Sequence, residues 1–229
     1  MHISGAIALV TGANRGLGRH FAAQLLDRGA AKVYATARRP ELVRLPGVEV
    51  LPLDITDPAS VAAAARAAGD VNLLVNNAGV STGADLVAGD LDLLRRDMDT
   101  NYWGTLSVIR AFAPQLASGA ILNVLSALSW VSSPGAGGYA ASKAAEWNLT
   151  NGVRLELAAQ GTLVTGLHLG PTDTDMTAAF DVPKSDPAAI VKAGLDGLEA
   201  GEWEVIADEM PRVAKAALAK DPREYYAQR

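Results

Sequence analysis

Tyr139 and Lys143 stand four residues apart in the segment Tyr139-Ala140-Ala141-Ser142-Lys143, at the head of a long apolar stretch. On a helix, residues at that spacing share a face, so a phenol and an ammonium sit side by side. The pairing has a chemical use. A free tyrosine titrates near pH ~10, too high for acid–base work close to neutrality, and a neighbouring cation favours the phenolate. A shift of about 3 units asks for about 4 kcal/mol of differential stabilisation. Tyr-x-x-x-Lys pairs also arise by chance on many helices, so this one needs company.

Ser126 lies thirteen residues before the tyrosine and follows the apolar run 120–125. That places it at the carboxyl end of a strand, where open α/β sheets bind ligands. A hydroxyl there can donate to a carbonyl oxygen and stabilise the charge growing on it. The plainer role is a serine capping a turn. Asn76-Asn77-Ala78-Gly79 ends another apolar run, and its amides and small residues suit the wall of a cleft. Asn101 falls inside a helix-forming stretch where asparagine has a poor propensity, which predicts a local irregularity or a polar role.

A different chemistry lies near the N-terminus, in Thr11-Gly12-Ala13-Asn14-Arg15-Gly16-Leu17-Gly18. The spacing is Gly-x3-Gly-x-Gly, not the Gly-x-Gly-x-x-Gly dinucleotide fingerprint. The physics is shared: glycines allow a tight turn and close backbone approach, and the helix that follows offers free N–H groups to a pyrophosphate. Such a turn can also be only a turn, but its place between a first strand and a helix is the place a binding site requires. About 20 residues past Gly18 the next run ends Ala37-Arg38-Arg39. An NAD site usually has an acid there for the ribose 2′-hydroxyl. Two arginines with no acid, and Arg15 able to approach from the glycine turn, match a 2′-phosphate and so NADP. Taken singly, each arginine reads equally as a solvated surface group.

The elements that must position these groups follow from hydrophobic patterning. Apolar runs at 6–10, 32–37, 48–53, 73–76, 120–125, 163–169 and 203–207 are mostly continuous, as in strands buried on both faces. Between them lie helix-forming segments 16–29, 57–68, 91–116, 139–160, 187–198 and 210–219. This alternation predicts a doubly wound, Rossmann-type α/β fold: a parallel seven-stranded sheet with helices on both faces, as one domain over 1–229. The segment 181–187, with two prolines, is the best candidate for a flexible connection. Segment 139–160 is apolar on more than one face, so part of it is expected to be buried against a second copy, with 91–116 beside it, in a homodimer or homotetramer.

Composition narrows the classes. A chain of 229 residues, 49% hydrophobic and 20% charged, suits a substantial core. No apolar run approaches the roughly 20 residues of a membrane span. The first five residues lack a basic segment and read as structure instead of a signal peptide. A net charge of −5 argues against a nucleic-acid surface. There is no cysteine, and His2, His20 and His168 lack ligand spacing, so no metal site is expected. A cytoplasmic setting fits these features best.

Taken together and in this order, Thr11-Gly12-x-x-x-Gly16-x-Gly18, Asp54 after the third strand, Asn76-Asn77-Ala78-Gly79, Asn101, Ser126 and Tyr139-x-x-x-Lys143 resemble the short-chain dehydrogenase/reductase family over nearly the whole chain. The resemblance implies that Tyr139 is the general acid in reduction and the base in oxidation. It implies that Lys143 lowers the Tyr139 pKa and holds the nicotinamide ribose, that Ser126 orients the carbonyl, and that Asn101 holds a water of a proton relay. Gly12, Asn14, Arg15, Gly16, Leu17 and Gly18 would form the phosphate turn, and Arg15 and Arg38 match the basic positions of NADP-preferring members. Asp54 and Ile55 would contact the adenine, while Asn77, Ala78 and Gly79 would flank the cofactor. One departure is Leu169-Gly170-Pro171-Thr172-Asp173-Thr174, where many members have Pro-Gly; Gly170 and Thr174 align, so contacts of Thr172 and Thr174 with the nicotinamide carboxamide are expected but less constrained.

The implied activity is NADP(H)-dependent hydride transfer at a ketone, aldehyde or alcohol. Expected pocket walls are Ser126, Leu128, Trp130, Val131, Pro171, Met176 and Phe180, which point to an uncharged lipophilic substrate; Trp130 serves equally well as a packing residue. The chain after Thr174 is short for a substrate lid, which predicts a small, open pocket. Two rivals stand beside this. A catalytically silent NADP-binding sensor or scaffold would usually lack a catalytic group, and here all four are present. An epimerase or dehydratase of related fold usually carries an added substrate domain for which this chain has no room.

Overall fold

The strand-forming runs become a sheet of seven parallel strands in the order β3-β2-β1-β4-β5-β6-β7 in a computed structural model that describes residues 1–227. The last two positions of the expected 1–229 domain lie outside the described residues. The strands are β1 (Ile7–Val10), β2 (Lys32–Ala37), β3 (Glu49–Pro52), β4 (Leu73–Asn76), β5 (Ala120–Val124), β6 (Leu163–His168) and β7 (Glu204–Ile206). The long helices are α1 (Gly16–Asp27), α2 (Pro58–Ala67), α3 (Leu91–Met98), α4 (Thr105–Phe112), α5 (Gly137–Glu156), α6 (Pro187–Ala200) and α7 (Glu209–Ala217).

Strand side chains alternate between two apolar layers, which is why the runs look continuous in sequence. Ala8, Val10, Leu73 and Val75 face a layer closed by Phe21 and Leu25 of α1 and by Ile190 and Leu195 of α6. Leu9, Leu74 and Ile121 face the opposite layer, with Val61 of α2, Phe112 of α4 and Val153 of α5. Helix starts follow local chemistry. Asp57, Asp90 and Asp186 each cap a helix by accepting a backbone N–H, and Pro58 and Pro187 occupy first-turn positions. The 181–187 segment is tied down: Thr172 and Ser185 form a parallel bridge just before Asp186 caps α6.

The expected 91–116 helix is interrupted. Between α3 and α4 the chain makes a π-helical turn, Asp99–Gly104, and after α4 a 3₁₀ turn, Ala113–Leu116, that accommodates Pro114. A short final helix, α8 (Pro222–Tyr226), was not expected from periodicity.

Chain order reverses between β1 and β4, since β2 and β3 lie on one side of β1 and β4 on the other. Loops leaving the carboxyl ends of these two strands diverge and leave a crevice between them.

Candidate active site

That crevice is a cleft of about 900 Å³, lined by loops after β1, β2, β3, β4, β5 and β6. It gathers residues far apart in sequence: Gly12, Asn14, Arg15, Gly16, Leu17, Arg38, Asp54, Ile55, Asn77, Ala78, Gly79, Ser126, Tyr139, Lys143, Thr172 and Thr174 all line it. Gly18 and Asn101 are not among the lining residues.

Gly18 has a packing role. A Cβ on it would lie 2.2 Å from the Gly12 carbonyl oxygen and 2.5 Å from Asn77 Nδ2, so only glycine lets α1 close on the turn. Gly12 and Gly16 have φ of +66° and +52°, the left-handed region that side chains disfavour. Thr11 Oγ1 accepts the Asn77 and Ala78 N–H groups, and Asn77 Nδ2 donates to the Thr11 and Gly12 carbonyls. The glycine turn is thereby stitched to the end of β4. The first turn of α1 contains no acid, and its N-cap Arg15 makes no side-chain capping bond. Those N–H groups suit an anion.

Arg38 follows Ala37 at the end of β2 and lines the cleft, with no acid at either position. Arg15 lines it too, and its guanidinium pairs with Asp175 at 2.8 Å across the mouth, both side chains about 70% exposed. An exposed pair of this kind is easily exchanged. Burial opposes ionisation of Asp54, yet the Thr56 hydroxyl and N–H, with Arg38 nearby, hold its carboxyl below the usual range. The anion-ready turn, two arginines and this carboxylate fit a dinucleotide that bears an extra phosphate on its adenosine ribose.

At the other end of the cleft Ser126 does both things its type allows. Its Oγ accepts the Leu128 N–H at 3.1 Å, capping the turn Ala127–Ser129, and it also faces the cleft. Accepting one bond leaves its O–H free to donate. Lys143 Nζ lies 5.8 Å from the centre of the Tyr139 ring, and both residues line the cleft from the first turns of α5.

Asn101 is fully buried in the π turn. Its Nδ2 donates to the Val80 carbonyl at 2.9 Å and to Ser142 Oγ at 2.8 Å, while Oδ1 accepts the Val80 N–H at 2.9 Å. Both amide hydrogens are used, so the side chain braces the loop after β4 against α5. The irregularity expected of this asparagine is the π turn itself, which swings it inward.

Two buried ionisable residues carry more than the sequence suggested: Glu146, which it did not single out, and His168, which it showed only as a histidine without ligand spacing. Glu146, one turn beyond Lys143, accepts from its Nζ at 2.6 Å. A charged residue inside an apolar helix face was the available signal. His168 ends β6, and its Nδ1 meets the Ser126 carbonyl at 3.1 Å, which makes Nδ1 the protonated nitrogen. Burial, reinforced by Lys215 and Lys143 and opposed by the bond to Ser126, lowers its pKa to about 4. Trp130 stacks on this ring at 3.8 Å and meets Trp147 edge-on. It therefore packs behind Ser126. Of the expected pocket walls, Ser126 and Met176 line the cleft; Leu128, Trp130, Val131, Pro171 and Phe180 are not among the lining residues.

A parallel sheet with a phosphate-ready turn at its switch point, and a Ser–Tyr–Lys group across the same cleft, defines a class of dinucleotide-dependent α/β proteins. The sequence profile described as short chain dehydrogenase matches residues 6–184, and the chain belongs to the short-chain dehydrogenase/reductase family, a family of oxidoreductases. A crystal structure of a short chain dehydrogenase from Burkholderia cenocepacia J2315 in complex with NADP is 41% identical, covers 100% of this chain and 98% of its own, and superposes with a TM-score of 0.95. A short-chain dehydrogenase from Sphingobium yanoikuyae in complex with NADPH is 26% identical, covers 97% and 95%, and has a TM-score of 0.82. Human dehydrogenase/reductase SDR family member 7 is 34% identical over 74% of this chain; the match spans 56% of the human protein.

Proposed function

We propose that the protein is an NADPH-dependent reductase of ketones or aldehydes, also able to oxidise the matching alcohols, with Tyr139 as proton donor and acceptor. The observation that carries this is the meeting of Arg15 and Arg38 with Ser126, Tyr139 and Lys143 in one cleft. The cofactors held by the Burkholderia and Sphingobium relatives support the choice of NADP(H).

The turn Gly12–Leu17, with Asn14 at its tip, would hold the pyrophosphate, and Arg15 and Arg38 the 2′-phosphate. Asp54 and Ile55 would flank the adenine. Asn77, Ala78 and Gly79 would flank the ribose, with Thr172 and Thr174 beside the nicotinamide. Bound NADPH supplies the hydride that adds to the carbonyl carbon. Ser126 donates its free O–H to the carbonyl oxygen and holds it toward Tyr139. Tyr139 gives its phenolic proton to that oxygen as charge builds there, completing the alcohol, and regains a proton from solvent. Lys143 stabilises the transient phenolate and donates to the ribose. Asn101 braces the loop after β4 through Val80 and Ser142, and both of its amide hydrogens are spent there, so a water of the proton relay would not be held by Nδ2.

The substrate class is an uncharged, lipophilic carbonyl compound, a reading supported by Met176, Leu169 and Val80, which line the same cleft as Tyr139 and Ser126. The setting is cytoplasmic, where NADPH is the usual reductant, and the assembly a homodimer or homotetramer of single-domain chains.

The test is NADPH oxidation against a panel of apolar ketones, aldehydes and carboxylate-bearing carbonyl compounds, with NADH alongside. Turnover that prefers NADPH and apolar substrates is the expected result. Turnover of the carboxylates alone would overturn the substrate class. Tight NADPH binding without any turnover would favour a silent NADP-binding protein.

A further inference from the structure

Glu146 and Lys143 form a buried ion pair at the floor of the cleft, with side-chain exposures of 2% and 6%. A carboxylate and an ammonium withdrawn from water are each costly, and such a pair persists only where its geometry is good. Here Nζ donates to Glu146 Oε2 at 2.6 Å and to the Val124 carbonyl at 2.8 Å. These two acceptors, one on α5 and one at the end of β5, use two of the three ammonium hydrogens. The third is left for the cleft that Lys143 lines.

We propose that Glu146 is a positioning residue for the reduction: its carboxylate anchors the Lys143 ammonium between helix and sheet, balances its charge, and presents the remaining N–H to the cofactor ribose beside Tyr139. The inference rests on the function proposed above, because it takes Lys143 to hold the ribose. Burial works against both charges: it pushes the Glu146 carboxyl above its usual range against the pull of Lys143, and it opposes the Lys143 ammonium, which the Glu146 carboxylate with help from Tyr139 holds above its usual pKa. The neighbouring ionisable groups are otherwise engaged. Asp97 of α3 faces Gly138 and accepts from Thr82 N and Oγ1. His168 of β6 is held neutral, and Glu204 of β7 pairs with Lys215 and accepts from Trp147 Nε1. Among the described residues no second carboxylate lies within ion-pair distance of Lys143.

Glu146→Gln keeps the shape and an acceptor for Nζ but removes the countercharge. The unpaired, buried ammonium then releases its proton at lower pH. Two readouts follow. NADPH affinity, read by cofactor fluorescence, should begin to fall at a lower pH in the variant than in wild type and be weaker by about fivefold or more on the alkaline side of that fall, as the cation facing the cofactor is lost. The alkaline limb of carbonyl reduction should move down by about 1–3 pH units, because Lys143 gives up its proton earlier. A merely structural glutamate would scale kcat and leave both pH profiles in place, and that result overturns the proposal. If Glu146→Gln does not fold, Glu146→Asp, with its carboxylate drawn back, should shift both profiles the same way by less; profiles identical to wild type overturn it. Wild-type protein that binds NADPH but reduces no carbonyl compound refutes the proposed function alone, since the binding profile still decides the part of Glu146. Wild-type protein that binds no NADPH refutes both.

Discussion

Cofactor choice should move from NADPH toward NADH when Arg38 is replaced by leucine, and the structure sets the size of the change. Arg38 stands immediately after Ala37, at the end of β2, and faces the cleft. A charge-assisted bond to a phosphate contributes about 1.5–3 kcal/mol, so Arg38→Leu should weaken NADPH binding by about 10- to 150-fold and leave NADH nearly unchanged. Arg15→Leu should cost less. In the free protein Arg15 is held by Asp175, an exposed pair worth no more than about 1 kcal/mol, and that interaction is given up on binding phosphate. The net loss is about tenfold. Adding Ala37→Asp to Arg38→Leu should reverse the preference, because the carboxylate repels the 2′-phosphate and accepts from the 2′-hydroxyl of NADH. Asp54 should stay ionised throughout, since Thr56 N and Oγ1 both bond its Oδ1. The assay is kcat/KM for each cofactor at saturating carbonyl substrate. An unchanged NADPH-to-NADH ratio in the double variant would refute the assignment of these arginines.

Other consequences are open to measurement. Asn101→Ala leaves the Val80 N–H and carbonyl and Ser142 Oγ without their partner, so urea denaturation should show a loss of about 2–4 kcal/mol; lost turnover with unchanged stability would instead give Asn101 a purely chemical role. His168 has a depressed pKa of about 4, so the unfolded chain takes up this proton first as pH falls. Its stabilisation is complete above about pH 6.5 and declines toward pH 4 by up to about 3 kcal/mol. His168→Phe, which keeps a ring against Trp130, should lose less stability than wild type between about pH 7.5 and 5, and an equal loss in both proteins would exclude His168 as the cause. Leu91 and Trp103 near the α3 helix and Leu155 on α5 are 61%, 55% and 75% exposed, consistent with association through these elements. Sedimentation at micromolar concentration should show a dimer or tetramer, and a monomer would reject it.

Much of the fold was legible because its strands are buried on both faces. Lys32–Ala37 and Leu73–Asn76 begin and end where their apolar runs do. The edge strand β3 is shorter than its run of 48–53, with exposed Glu49, Val50 and Pro52. The π turn was only half legible. Asn101 marked the place, but the partners that draw it inward, Val80 and Ser142, lie 21 and 41 residues away. Trp130 shows the same limit, since its stacking on His168 depends on how β6 and the loop after β5 meet in space. Glycine turn, arginines, serine, tyrosine and lysine stood out in the sequence through their combination and order, each close to a strand end or in the first turns of a helix. Glu146 left a weaker signal, a charge inside an apolar helix face, and its importance emerges only from the burial it shares with Lys143. The five-residue α8 is too short for any periodicity to reveal.

The most direct test of the account is the Tyr139→Phe variant, assayed for both NADPH binding and NADPH-driven carbonyl reduction. Removing one hydroxyl from the cleft should lower kcat by about 10²–10⁴-fold, the usual contribution of a positioned general acid, while NADPH affinity stays within about twofold of wild type. Reduction at a wild-type rate by the folded, NADPH-binding variant would contradict the central claim that Tyr139 delivers the proton.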